Sequence, residues 1–68
     1  MKITTYQYEF SHNRKPRGYG LWAFSFEADG KKSEPFFYTG KYSEAKNRAV
    51  KYAVSVLRLD NPIINVLP

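Results

Sequence analysis

From residue 3 to residue 10 the chain alternates. Tyr6, Tyr8 and Phe10 fall on one side of an extended backbone, and Thr5, Gln7 and Glu9 on the other. That period of two predicts a half-buried strand over about 3–10. A second alternation covers about 21–28, with Trp22, Phe24 and Phe26 on one face and Leu21, Ala23, Ser25 and Glu27 on the other. Asp29-Gly30 follows, the strongest short hairpin signal. It predicts a third strand over about 31–38. Ala28 then faces Lys31, Glu27 faces Lys32, and Trp22 faces Phe37. Pro35 has no N–H to give a ladder, so the third strand should be an edge and the second central.

After a turn at 39–42, the period changes. Ser43 is a good N-cap and Glu44 suits the positive end of a helix dipole. Ala45, Ala49, Ala53 and Val56/Leu57 recur at helical spacing, with Asn47, Lys51, Ser55 and Arg58 on the far side. A helix over about 44–59 is predicted, stopped by Asp60-Asn61-Pro62. The apolar tail, 60–68, either docks on the core edge or pairs with another chain. The expected fold class is α+β: one domain over 1–68, a three-stranded antiparallel β-meander packed on one C-terminal α-helix. Small alanines on the helix would let it approach the large rings of the sheet.

Composition narrows the function classes. The chain has 68 residues, 43% hydrophobic and 18% aromatic, too apolar for simple disorder. It has no cysteine and one histidine, so no disulfide framework, thiolate metal site or histidine-based metal site is expected. No apolar run approaches the roughly 20 residues of a bilayer span, and the expectation is a cytoplasmic protein without membrane contact. No acid–base pair or triad is evident, and Gly18-Tyr19-Gly20 is too short for a phosphate cradle and leads into a strand. The protein is therefore expected to be non-enzymatic, with no cofactor and no small-molecule substrate.

Charge points to a partner. Eleven Lys and Arg against six Asp and Glu give +5. The loop over 11–20 holds Arg14, Lys15 and Arg17, flanked by His12 and by Tyr19, a stacking candidate. Such a run can neutralise phosphates and release their counterions, or simply keep a loop in water. Lys41 and Lys46 add charge at the helix start. The other sheet face would carry Glu9, Glu27 and Glu34, which would repel a phosphate backbone. On that same face Leu21, Phe36 and Tyr38 would form an apolar strip suited to a protein partner or a homodimer, or to cover by the tail.

The helix sequence Ala45-Lys46-Asn47-Arg48-Ala49-Val50-Lys51-Tyr52-Ala53-Val54-Ser55-Val56-Leu57 resembles the last helix of double-stranded RNA-binding domains. The Trp22-x-Phe24-x-Phe26 strand, the Asp29-Gly30-Lys31 turn and Gly40 sit where that family has its sheet. That family opens with a further helix, for which this reading leaves no residues. It grips phosphates with a lysine run at its last helix, matched here by Lys46 and loosely by Lys41. It also enters the minor groove with a loop histidine, for which His12 stands without the usual Gly-Pro-x-His order. Gly20-x-Trp22-x-Phe24-x-Phe26 and Ser43-Glu44-Ala45 are also similar to the arm-site DNA-binding domains of tyrosine integrases and related plant transcription-factor domains, which have three strands and one helix. These resemblances imply a small protein that binds duplex RNA or DNA through His12, Arg14, Lys15, Arg17, Tyr19, Lys41 and Lys46. The alternative is a small protein-binding regulator or inhibitor using the open sheet face, the edge strand or the tail.

Overall fold

The computed structural model describes residues 1–68. Five strands form one mixed sheet, and two helices flank it. The chain runs β1 (Lys2–Thr4), α1 (Tyr6–His12), β2 (Tyr19–Ala28), β3 (Lys31–Lys32), β4 (Phe36–Lys41), α2 (Tyr42–Lys51), a π-helical turn (Tyr52–Val56) and β5 (Ile63–Val66). The order across the sheet is β1, β5, β2, with β3 and β4 both on the far edge of β2. The three-stranded meander on a single helix is thus corrected, on both strand number and helix number.

The first correction lies at residues 3–10. Only Lys2–Thr4 are extended, pairing in parallel with β5 through Ile3 opposite Ile64. Tyr6–His12 coil instead. The Thr5 hydroxyl donates to the Glu9 carboxylate one turn on. Tyr8 stacks on His12 at 4.0 Å, the i,i+4 contact that only a helix makes. Asn13 closes the turn in the left-handed conformation at φ 58°, its N–H donating to the Glu9 carbonyl. Of the alternating aromatics only Tyr8 is buried.

The second correction is the tail. Residues 63–66 do more than dock on the core edge: Ile64 and Val66 are fully buried in the core. They form β5, antiparallel to β2 with Phe24 opposite Val66 and Phe26 opposite Ile64. β2 is central, as Pro35 implied, but its second neighbour is the tail and not the first strand.

The third is a one-residue slip. Glu27 faces Lys32 and Ala28 faces Lys31, as the Asp29-Gly30 turn requires, and a Lys32–Glu27 ion pair spans 3.5 Å. Beyond it Trp22 faces Tyr38, not Phe37. Ser33 causes the shift. Its N–H donates to the Phe26 carbonyl at 2.8 Å, and its hydroxyl accepts the Phe26 N–H at 3.3 Å. The pairing then resumes at Phe36 opposite Phe24, with one residue extra on this strand. The slip inverts every later side chain. Phe36 and Tyr38, expected on the open face, turn to the helices. Phe37 points to solvent, 60% exposed.

Both helices cover one sheet face. Phe24 and Phe26 are fully buried there with Ile64 and Val66, each large ring contributing about 2 kcal/mol by area. Ala45, Ala49 and Ala53 are also fully buried, so α2 lies close on the rings. Helix α2 starts at Tyr42, directly from β4. Lys41 occupies the N-cap position without a side-chain cap, so Ser43 does not cap it. The helix then widens into the π turn, which begins at Tyr52, whose ring stacks on Phe36 at 4.7 Å. Arg58, at φ 51°, ends the helical segment with the Leu59 N–H reaching back to the Ala53 carbonyl. No helix is long and apolar enough to cross a membrane.

Candidate nucleic-acid interface

Two basic segments meet at the end of the sheet where β2 begins. The loop 13–18 returns from α1, and β4 hands over to α2 beside it. Their joint is a backbone hydrogen bond: the Tyr42 N–H donates to the Gly18 carbonyl at 2.8 Å. Gly18 sits at φ 81°, a conformation costly for any residue with a Cβ. Arg17, Tyr19, Lys41 and Ser43 consequently border one shallow hollow. Lys46 lies one turn further on, its Nζ 5.9 Å from the Tyr42 ring centre.

An aromatic row supports this end from beneath. His12 stacks on Tyr8, Tyr8 lies 5.5 Å from Trp22, and Trp22 lies 5.0 Å from Tyr42. The row therefore runs from the end of α1 to the start of α2. Trp22 is fixed within it by its indole N–H, which donates to the Gly40 carbonyl at 2.9 Å. A Cβ at Gly40 would lie 2.8 Å from the Tyr38 ring, so no larger residue fits without moving that ring. Partial burial of Tyr42 pushes its hydroxyl above the usual tyrosine value.

Arg17 and Lys41 thus border one hollow, Lys46 lies over the Tyr42 ring, and Arg14 and Lys15 precede Arg17 in the loop. None has a carboxylate partner, because the molecule's ion pair is Lys32–Glu27. The nearest acid in sequence, Glu44, accepts the Tyr38 hydroxyl at 3.3 Å. Tyr19 projects among the cations, 78% exposed. His12 is not in the loop: it ends α1, stacked on Tyr8. Sequence reasoning missed Tyr42, the residue that joins the two basic segments. A tyrosine one residue before a predicted N-cap carries no such signal.

The apolar strip divides. Leu21 stays on the open face, but Phe36 packs on Phe24, Phe26 and Tyr52, and Tyr38 reaches Glu44. Phe37 takes their place beside Leu21. Glu9 leaves the sheet for α1, so it no longer joins Glu27 on that face. The open face carries instead a polar line. The Thr4 hydroxyl donates to Asn65 Oδ1 at 2.5 Å, and Asn65 Nδ2 donates to Glu27 Oε1 at 3.1 Å and Ser25 Oγ at 3.4 Å.

No family model matches the chain, and neither a curated protein nor a solved structure matches it.

Proposed function

We propose that this protein binds duplex nucleic acid through the cationic end built by the 13–18 loop and the start of α2. One observation carries the reading. The Tyr42–Gly18 hydrogen bond ties the loop that carries Arg14, Lys15 and Arg17 to the start of α2, so that Arg17 borders the same hollow as Lys41, and none of these cations, nor Lys46, has an ion-pair partner. Unpaired cations release counterions from a phosphate backbone at no cost in broken salt bridges.

The grip would be to the backbone, with Tyr19 free to stack on an exposed base. The test is a salt titration of binding to a short duplex RNA and a matched duplex DNA by fluorescence anisotropy. Contact by all five cations gives a log–log slope of about −4.5 on DNA, at roughly −0.9 per phosphate. The Arg14→Glu/Lys15→Glu/Arg17→Glu variant should abolish binding while keeping the wild-type fold by circular dichroism. Absence of binding to either duplex at low salt overturns the proposal.

A further inference from the structure

Strand β4 borders the sheet on the side away from β1 and β5. It pairs with β2 alone, and β5, followed by β1, lies on the other side of β2. The bonds of β2 fix which way the groups of β4 turn. The Tyr42 N–H donates to the Gly18 carbonyl, one step beyond the Tyr19–Lys41 pair, and the Ala23 carbonyl accepts the Leu67 N–H on the opposite side. Bonded and unbonded pairs alternate along an antiparallel ladder. Tyr38 and Gly40 therefore turn their N–H and C=O groups to β2, and Phe37, Thr39 and Lys41 turn theirs outward. Such an edge is a template for a further strand. Pro35, which has no N–H, lies before it, and α2 follows it at Tyr42.

The side chains of those outward-bonding residues share the open face, by the strand period of two. They read Phe37, Thr39, Lys41, and all are exposed. The set is complementary to itself when reversed. In an antiparallel pairing centred on Thr39, Thr39 meets the partner's Thr39, and each Phe37 meets the partner's Lys41. Threonine opposite threonine is a favourable cross-strand pair, and an ammonium beside a phenyl ring adds cation–π attraction. Other centres lose these matches. Centred on Phe37 or Tyr38, the pairing sets Pro35 against Thr39 or Lys41, where its missing N–H costs a bond. Centred on Lys41, it sets two ammonium groups against each other.

We infer that this chain forms a homodimer by antiparallel pairing of β4 with the partner's β4 about Thr39, which joins two sheets into one. Thr39 exchanges both main-chain bonds with the partner's Thr39, and each Lys41 N–H meets the partner's Phe37 carbonyl. A second copy is selected over an unrelated strand because the matches arise from one segment set against itself, as a two-fold interface requires. The net charge of +5 on each copy does not forbid it. The two Lys41 residues stand four strand positions apart, about 13 Å, beyond the screening length of roughly 8 Å.

The test is sedimentation velocity of the 68-residue chain in buffer without nucleic acid, so its outcome is separate from that of the salt titration. The expected result is a monomer–dimer equilibrium with its midpoint between about 10 μM and 1 mM. Thr39→Pro removes the outward N–H at the centre and leaves the β2 ladder intact. It should keep the wild-type circular dichroism and weaken association at least roughly tenfold. Phe37→Ala should weaken association about tenfold, through loss of a cation–π contact on each side of the dimer. Register is read by disulfide trapping, since the chain has no cysteine. Opposed Thr39 residues stand about 5.5 Å apart between Cα atoms, within disulfide reach, and the two Phe37 residues about 13 Å apart, outside it. Thr39→Cys should therefore cross-link at least roughly tenfold faster than Phe37→Cys under the same oxidant. A monomer at about 1 mM overturns the inference, as does assembly beyond a dimer. So does a dimer that Thr39→Pro leaves intact, or cross-linking of Phe37→Cys as fast as that of Thr39→Cys.

Discussion

The Tyr42 N–H donates to the Gly18 carbonyl oxygen at 2.8 Å, tying the end of the basic loop to the start of helix α2. Gly18 holds its end of that bond at φ 81° with open space where a Cβ would go. Gly18→Ala should therefore cost backbone strain alone, about 1 kcal/mol. In a domain of this size that lowers the melting temperature by roughly 4–8 °C. Amide exchange at Tyr42 should quicken more than exchange at Phe24. A variant as stable as wild type would show that the joint does not hold the loop.

The one-residue slip after Ser33 sorts two adjacent phenylalanines. Phe36→Ala removes a ring packed on Phe24, Phe26 and Tyr52 and should cost about 2–3 kcal/mol, near the lower end for buried rings because Phe36 is only partly buried. Phe37→Ala removes an exposed ring and should stay within about 0.5 kcal/mol. Urea unfolding of the two variants decides it. The reverse ranking would restore the unshifted pairing of Trp22 with Phe37.

Asn65 is the polar member of a strand otherwise made of aliphatic residues, and it is buried. Its amide joins Thr4 of β1 to Ser25 and Glu27 of β2. Asn65→Ala should cost about 2 kcal/mol, the scale of lost bonds to buried polar groups. Asn65→Asp sets a carboxylate against Glu27. It should be destabilising at neutral pH and partly recover in acid, where one of the two is protonated. Melting curves at pH 7 and pH 4 compare the two variants.

Tyr42 titrates above the ordinary tyrosine value because burial disfavours the phenolate. The folded state thus holds this proton where the unfolded chain has lost it. The stability it contributes is complete below about pH 10 and falls as pH rises through the folded value. Tyr42→Phe should flatten the alkaline fall in melting temperature relative to wild type. Identical alkaline profiles would show that the hydroxyl is not desolvated.

Local signals carried the middle of the chain. Asp29-Gly30 set its own pairing, and the alanine spacing found the buried side of α2, because turn chemistry and helical period act over a few residues. Residues 3–10 failed for the complementary reason. Alternation in Tyr6-Gln7-Tyr8-Glu9-Phe10 also fits a helix that buries Tyr8 alone, and the choice was made by contacts with Trp22 and the end of β5. The slip at Ser33 turned on one hydroxyl accepting a backbone N–H, a contact with no periodicity. For the candidate site, the cations of the loop were plain in the sequence. The tie between that loop and the start of α2 depended on a bond between residues 18 and 42.

The pairing of residues 2–4 with residues 63–65 has a consequence for synthesis on the ribosome. The hairpin of β2 with β3 and β4, and then α2, can assemble as they emerge. β1, made first, has no neighbour until β5 arrives, and the inner side of β2 stays bare until then. Phe24 and Phe26 cannot be sealed before Ile64 and Val66 leave the exit tunnel. Contacts this distant along the chain slow folding. The nascent chain therefore passes through a stage with an open, aromatic strand edge, which is the stage at which it is most prone to aggregate or to need a chaperone.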